Sequence, residues 1–381
     1  MTSGYDVVIV GAGLAGLVVA RGIVTGCGAS VLIRERSEHL GGLLRSERDE
    51  RTAVEYNPHG TRVIATSDRS VVDYLSRWES LVPYRHMVHA AVAGALVPMP
   101  VGLEAIELCY QRALGADEAR DLVQRDAAPY AGRAARTVED VALAALGAPL
   151  YEMFVRGYVR KQWGADPAEL DAEVFNSRFG VCYERGRGYY DRSTWQLLPQ
   201  GGYGRLLRAL ADHPRIDIEY KCGQIRWDSH GARRLCVATG FVDDFFDHRF
   251  GRLGRRAVGV EWRHVDAAAR PGGAVLTHPT DGEAHYRTHV PEFLPWSRGA
   301  ARDGSVLVGH ERHDAPEHRT EFVLNGPADR ALAERYRRHA RTFENLVLTG
   351  RGTTFYDDIA TTVTGARALG EELAGRLGGS R

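Results

Sequence analysis

The stretch from Asp6 to Gly16, DVVIVGAGLAG, decides the fold. Asp6 to Val10 is short, β-branched and almost wholly apolar, the composition of a strand buried on both faces. It runs straight into Gly11, Gly13 and Gly16 at GxGxxG spacing, and an apolar helical stretch, LVVARGIV, follows. Each glycine has a mechanical task. The first makes the tight turn, the second lets the backbone approach a pyrophosphate, and the third lets helix pack closely on strand. The helix N-terminus then faces the phosphate charge. A second strand, Ser30 to Ile33, ends near Glu35, about 20 residues past the glycines, where a ribose-binding carboxylate is expected.

Working outward, Glu35-Arg36 is followed by Leu40-Gly41-Gly42-Leu43. This second glycine pair resembles the extended ERxxxxGG signature of flavoproteins and favours FAD over a nicotinamide dinucleotide. Such a cofactor needs a further contact region near the C-terminus. Asn345 to Thr349 (NLVLT) reads as a buried strand entering Gly350-Arg351-Gly352-Thr353, and Ile359 to Leu373 has alanine-rich helical character. Strand, glycine turn, arginine and helix start make another phosphate-facing junction, although an ordinary strand-to-helix turn would look the same.

Composition excludes several classes. The 381 residues allow a substantial core and two or three domains. Basic and acidic side chains balance at 49 each, which argues against nucleic-acid or membrane binding through a whole-molecule field. Any anion site must be local. Cys27, Cys109, Cys182, Cys222 and Cys236 are scattered without CxxC spacing, as expected of free thiols in a reducing compartment. The first apolar run is broken at Gly11, too early for a signal peptide, and no later run is long enough to span a bilayer. A cytoplasmic protein is expected.

In the middle of the chain, Thr137 with Asp140 three positions on forms a capping-box pattern. The run that follows is interrupted at Gly147, Pro149 and Gly157, and Pro149 should start a new helix. Asp166-Pro167-Ala168-Glu169 offers another helix start, so residues 101–175 read as a mostly helical insertion. Tyr183 to Arg192 (YERGRGYYDR) has no period and reads as a flexible loop, suited either to an anionic, ring-containing ligand or to plain solvation. CVATG, RAVGVEW, GAVLTH and SVLVGH, between Cys236 and His318, suggest an antiparallel sheet. The 15 histidines include His285, His289, His310, His313 and His318, but no HExxH or Cys/His ladder, and no metal is expected.

At these residues the chain resembles the UDP-galactopyranose mutase family along nearly its full length. The most specific segment is Gly147 to Gly164, GAPLYEMFVRGYVRKQWG, followed by Asp166 to Leu170, DPAEL. Leu198 to Tyr203 (LPQGGY), Thr239 to Asp247 (TGFVDDFFD) and the GR–T–YxD pattern within Gly350 to Asp358 also correspond. The resemblance implies an α/β fold: a FAD-binding Rossmann-like domain with a helical insertion and an antiparallel β-sheet substrate platform. The FAD domain would be discontinuous, from 1–85, 204–238 and 325–381. The helical domain, which mediates dimers in the family, would be 100–177, and the sheet domain 86–99, 178–203 and 239–324.

The implied reaction is redox-neutral. Reduced FAD, primed by an external reductant, attacks the anomeric carbon of a nucleotide-diphosphate sugar through flavin N5 and expels the diphosphate. The N5–C1 adduct then permits closure of a five-membered ring. Pyranose and furanose forms of UDP-galactose or a related hexose are thereby interconverted. A leaving diphosphate needs guanidinium groups. Arg178 matches the family's loop arginine and Arg287 its second diphosphate arginine. Tyr158, Trp163 and Tyr189 match aromatic positions around sugar and diphosphate, Tyr356 matches a third tyrosine, and Phe154 falls at the nucleotide base. Gly11, Gly13, Gly16, Glu35, Arg36, Gly42, Gly350, Arg351 and Asp358 are the implied cofactor residues.

Three features depart from the family pattern. The histidine-rich GxHxFHT segment reads Gly60-Thr61-Arg62-Val63-Ile64-Ala65-Thr66, with Arg62 at a histidine position. A tyrosine pair is replaced by Glu321-Phe322, and Gly352 to Asp358 is one residue short. Arg62 could replace the lost phenolic donor, with Phe322 still lining the substrate, and a different base or hexose is then expected. The same N-terminal fold also serves amine-oxidase-type FAD oxidoreductases, and the departures equally suit a non-catalytic sugar-nucleotide-binding homologue.

Overall fold

Gly11 adopts a φ of +109°, and a Cβ there would meet Thr239 Oγ1 at 2.4 Å. Only glycine turns the chain here from the strand Val7–Val10 into the helix Leu14–Cys27. The structure, a computed structural model, describes residues 4–174, 180–228, 230–297, 304–354 and 358–379. Val7–Val10 is the middle strand of a five-stranded parallel sheet, ordered Ile216–Glu219, Val31–Arg34, Val7–Val10, Leu235–Ala238, Leu346–Leu348. The helix Leu14–Cys27 packs against the C-terminal helix Ile359–Gly378. A Cβ on Gly22 would stand 3.0 Å from Gly370 Cα, so two residues without side chains bring these backbones together.

A second sheet has seven strands in the order Thr320–Val323, Arg255–Asp266, Ser305–His313, Arg287–His289, Val275–Thr277, Val88–Val92, Ala95–Met99. One expectation is corrected here. The CVATG run is not part of this sheet: Leu235–Ala238 is buried at all four positions and lies between two parallel partners. The expected antiparallel platform is present, and the hairpin Val88–Val92/Ala95–Met99 extends it with Val88–Val92 running parallel to Val275–Thr277.

The helices Leu103–Tyr110, Ala116–Ala127, Val138–Tyr151 and Gly157–Trp163 share a separate core of Ile106, Val123, Leu146, Leu150 and Val159. The capping box is present, with Thr137 Oγ1 accepting from Asp140 N at 3.1 Å and Asp140 Oδ2 from Thr137 N at 3.0 Å. Gly147 breaks the helix with φ +72° and ψ 164°, which puts Pro149 in a fresh first turn where it removes no hydrogen bond. Asp166 caps only the short 3-10 turn Pro167–Glu169.

A π-helical turn, Glu152–Arg156, leads into Gly157–Trp163. A Cβ on Gly157 would lie 2.0 Å from Pro279 O, and Lys161 Nζ donates to Thr280 O at 2.7 Å and Glu283 O at 3.0 Å. This helix is thus fastened to the sheet, which positions Tyr158 and Trp163. The loop 183–192, expected to be flexible, is tethered by Arg85–Asp191 at 2.5 Å and Arg185–Glu107 at 2.5 Å. No helix among the described residues is long and apolar enough to cross a membrane.

Candidate active site

The glycine turn at the end of Val7–Val10 offers room for a dinucleotide. Gly13 precedes Leu14–Cys27 without any side-chain cap, the first helical turn holds no acid, and a Cβ on Gly13 would meet nothing within 4 Å. The start of the helix is therefore free of a competing side-chain cap or acid, the condition for binding a pyrophosphate. Gly16 has the other task, since its Cβ would strike Gly11 O at 2.2 Å. Glu35 accepts from Ala12 N at 2.8 Å through Oε2 and from Ser37 N at 2.9 Å through Oε1. Its carboxylate braces the turn while keeping lone pairs for ribose hydroxyls.

The second glycine pair lies against the first: Gly41 N donates to Ala12 O at 2.9 Å, and a Cβ on Gly42 would come within 3.6 Å of Gly13 Cα. A cavity of about 250 Å³ adjoins them, lined by Leu40, Arg45, Ser46, Leu207, Arg208 and Tyr220. Gly350, with φ +78°, closes on Thr239, whose carbonyl oxygen would lie 2.6 Å from a Cβ. These residues fit a flavin dinucleotide. Arg36 is exposed, and Asp358 is engaged as the N-cap of Ile359–Gly378, accepting from Thr361 N at 2.7 Å.

The second half of the site lies where Gly157–Trp163 meets the seven-stranded sheet. Arg287 Nη1 donates to Glu311 Oε2 at 3.1 Å and Nη2 to Tyr158 Oη at 2.5 Å. Tyr286 packs edge-on to Tyr158 with ring centroids 5.6 Å apart. Arg256 lies 4.2 Å from the Trp163 ring centre and 4.7 Å from that of Phe322. Arg351 lies 4.3 Å from the Phe322 ring on its own account and donates to Glu321 O at 3.0 Å. The result is a row of guanidiniums on an aromatic floor. The Nε atoms of Arg256 and Arg287 and the Tyr286 hydroxyl are buried with no hydrogen-bond partner among the described residues.

Charge at this site is fixed by its neighbours. Burial alone would raise the Glu311 carboxyl, but Arg287, then His289 and Arg62, outweigh it and hold the group far below the usual carboxylate range. Burial likewise opposes the charge on Arg287, and Tyr158 and Glu311 overcome it, keeping the guanidinium protonated. Burial pushes the Tyr158 phenol up to about 12, with Arg287 pulling it down, so its hydroxyl stays protonated while its oxygen accepts from Arg287. Burial also keeps His86 neutral, with its pKa lowered to about 3 and the Arg287 charge adding to the effect.

Arg287, Tyr158, Trp163, Phe322, Arg62 and Tyr189 all belong to this neighbourhood. Tyr189 is 40% exposed, its amide donates to His86 O at 2.9 Å, and its phenol acts electrostatically on Arg287 and Tyr158. Arg62 reaches it through its charge on Glu311, and its carbonyl accepts from Tyr203 Oη at 3.2 Å. Phe154 stands apart: it is 3% exposed inside the helical core, which leaves little of its ring to stack on a base. Arg178 and Tyr356 lie outside the described residues.

Sequence reading missed Arg256, Glu311, His289 and His86. An acid at Glu311 within the apolar run SVLVGHERH was the available signal, since a buried carboxylate needs a cationic partner. Asp243, Asp244 and His248 form the one group among the described residues within metal-ligating range of one another. Arg255 already donates to Asp243 at 2.6 Å and to Asp244 at 2.8 Å, so a guanidinium occupies both carboxylates.

With this geometry in hand, comparison with known proteins is specific. Residues 153–356 match the family model of UDP-galactopyranose mutase, and residues 9–78 match that of an NAD(P)-binding Rossmann-like domain. A probable UDP-galactopyranose mutase of Klebsiella pneumoniae is 29% identical over 371 residues, 97% of this chain and 94% of that protein. A dTDP-fucopyranose mutase of Escherichia coli is 27% identical over 369 residues, 92% of this chain and 93% of that protein. Among solved structures, a reduced UDP-galactopyranose mutase superimposes with a TM-score of 0.74 at 16% identity, over 98% of this chain and 96% of the other. A cyclohexylamine oxidase from Brevibacterium oxydans shares the fold at a TM-score of 0.58 and 14% identity, over 98% of this chain and 99% of the other.

Proposed function

The chain belongs to the UDP-galactopyranose mutase family, and from that premise we propose that it interconverts pyranose and furanose forms of a nucleotide-diphosphate sugar using reduced FAD. The observation that carries the reading is Arg287, locked between Glu311 at 3.1 Å and Tyr158 at 2.5 Å beside the Arg256–Trp163–Phe322 stack. Fixed guanidiniums over aromatic rings suit a diphosphate that must leave and return. When bound, the reduced flavin supplies an electron-rich nitrogen to the anomeric carbon.

The chain's own residues bind and orient. Gly11 and Gly16 shape the cofactor turn, Gly13 and Gly42 make room for the cofactor's pyrophosphate, and Glu35 lies at its ribose. Gly350, Arg351, Arg36 and Asp358 are the further cofactor residues of the proposal. Arg287 and Arg178 take the diphosphate, and Tyr158, Trp163, Tyr189 and Tyr356 surround it and the sugar. Arg62 supplies a cation where the family has histidine, and Phe322 offers a ring face without a hydroxyl. We therefore expect a preference for an NDP-hexose other than UDP-galactose.

The test is to incubate dithionite-reduced protein with a panel of UDP-, GDP- and dTDP-sugars and to assign product ring size by NMR. Ring contraction with no electron acceptor consumed is the expected result. Acceptor consumed in step with product would establish an oxidase instead, and binding without conversion a non-catalytic homologue. A preference for UDP-galactose would remove the proposed role of the Arg62 and Phe322 departures.

A further inference from the structure

His289 is 1% exposed and takes no part in the chemistry proposed above, yet it sits between two halves of the site. Its Nδ1 lies 3.2 Å from Thr61 N and 3.2 Å from Thr61 Oγ1. Its Nε2 lies 3.0 Å from Glu311 Oε2, the same oxygen that accepts from Arg287. A backbone N–H can only donate, so Nδ1 is an acceptor and the ring proton resides on Nε2, where the carboxylate receives it. Burial lowers the pKa of this ring despite the Glu311 contact, which keeps it in the single-proton form that both contacts require.

The contact is built for an imidazole. Gly60 has φ +86°, and a Cβ there would meet His289 Nε2 at 2.7 Å, so only glycine lets the turn approach the ring. Thr61 and Arg62 follow directly, while Arg287 is two residues from His289 on the same strand.

We propose that His289 is a positioning residue whose imidazole ties the Gly60–Arg62 turn of the dinucleotide layer to the Glu311–Arg287 pair of the sheet. It thereby fixes the spacing at which Arg62 and Arg287 together grip a nucleoside diphosphate. The inference rests on the nucleotide-diphosphate-sugar reading above. Without the ring, Glu311 loses one of its two donors and Arg287 is drawn further onto it, while the turn bearing Arg62 loses the acceptor that holds it.

The experiment measures affinity for UDP and dTDP by calorimetry on flavin-loaded wild type and the variants H289L, H289Q and G60A, with flavin content and Tm recorded alongside. H289L should weaken binding of the nucleotide that wild type prefers by about tenfold, as loss of a hydrogen bond to a charged group implies. H289Q, whose amide can donate to Glu311 and accept from Thr61, should stay within about threefold of wild type. G60A should weaken binding in the same sense as H289L. A merely structural histidine would lower Tm or flavin content and leave affinity unmoved. Equal affinities in wild type and H289L, or equal losses in H289L and H289Q, overturn the proposal. Should H289L fail to fold, the contrast between H289Q and G60A decides. Binding of neither nucleotide by wild type would overturn the functional reading and this inference with it.

Discussion

A guanidinium grips a diphosphate best when its own orientation is set before the ligand arrives. Arg287 meets that condition, with one nitrogen on Glu311 and another on Tyr158. Lysine would keep the charge and lose the planar fork. R287K should therefore lower kcat/KM for the preferred sugar nucleotide by about 10- to 100-fold, equivalent to about 1.5–3 kcal/mol. A change below threefold would place the diphosphate elsewhere. At this scale the chain was legible where residue type and motif coincide, as at Gly11, Glu35 and Trp163. Arg256 was not legible, because nothing local distinguishes a strand arginine on a solvated face from one laid on an indole 4.2 Å away. Asp358 shows the converse: the motif suggests a ligand contact, while the structure engages the carboxylate in capping a helix.

Elements are governed by fit between neighbours. The helix Leu14–Cys27 begins at Gly13 without a side-chain cap and is held against Ile359–Gly378 by the Gly22–Gly370 contact, where a Cβ would stand at 3.0 Å. A branched side chain there must part the helices. G22V should cost about 1–3 kcal/mol by overpacking, read as a lower urea midpoint, and should reduce the flavin retained on purification. Unchanged stability and flavin content would show that the two helices can separate freely. The strand at Val7–Val10, the capping box at Thr137 and the break near Pro149 were readable from sequence, because each is a local pattern. The partner of Leu235–Ala238 was not. Its apolar run suits either sheet, and only the return of Leu346–Leu348 from over a hundred residues downstream fixes it between parallel strands.

Across the whole molecule, several histidines are kept neutral by burial. The pKa is lowered to about 3 at His86 and His285 and to about 4 at His59 and His310. The unfolded chain protonates these groups below about 6.5 while the fold resists until pH 3–4, so stability should fall as pH drops through that window. Buried His86 alone would contribute up to about 1.4 kcal/mol per pH unit. Urea midpoints from pH 7 to 4 test this, and a flat profile would contradict it. Because the Arg255 guanidinium already occupies Asp243 and Asp244, prolonged chelation should leave the activity of flavin-loaded protein unchanged, and a loss restored by a divalent cation would reverse that view. The sequence by itself determined the nucleotide fold and the family, since glycine spacing, strand composition and the GYVRKQW segment are short-range signals. Tertiary structure alone decided which charges meet: Glu311 faces Arg287 and His289, and Arg256 lies between Trp163 and Phe322. Those pairings join residues distant in the chain, and no local spacing encodes the burial that makes a carboxylate, an imidazole and two guanidiniums act together.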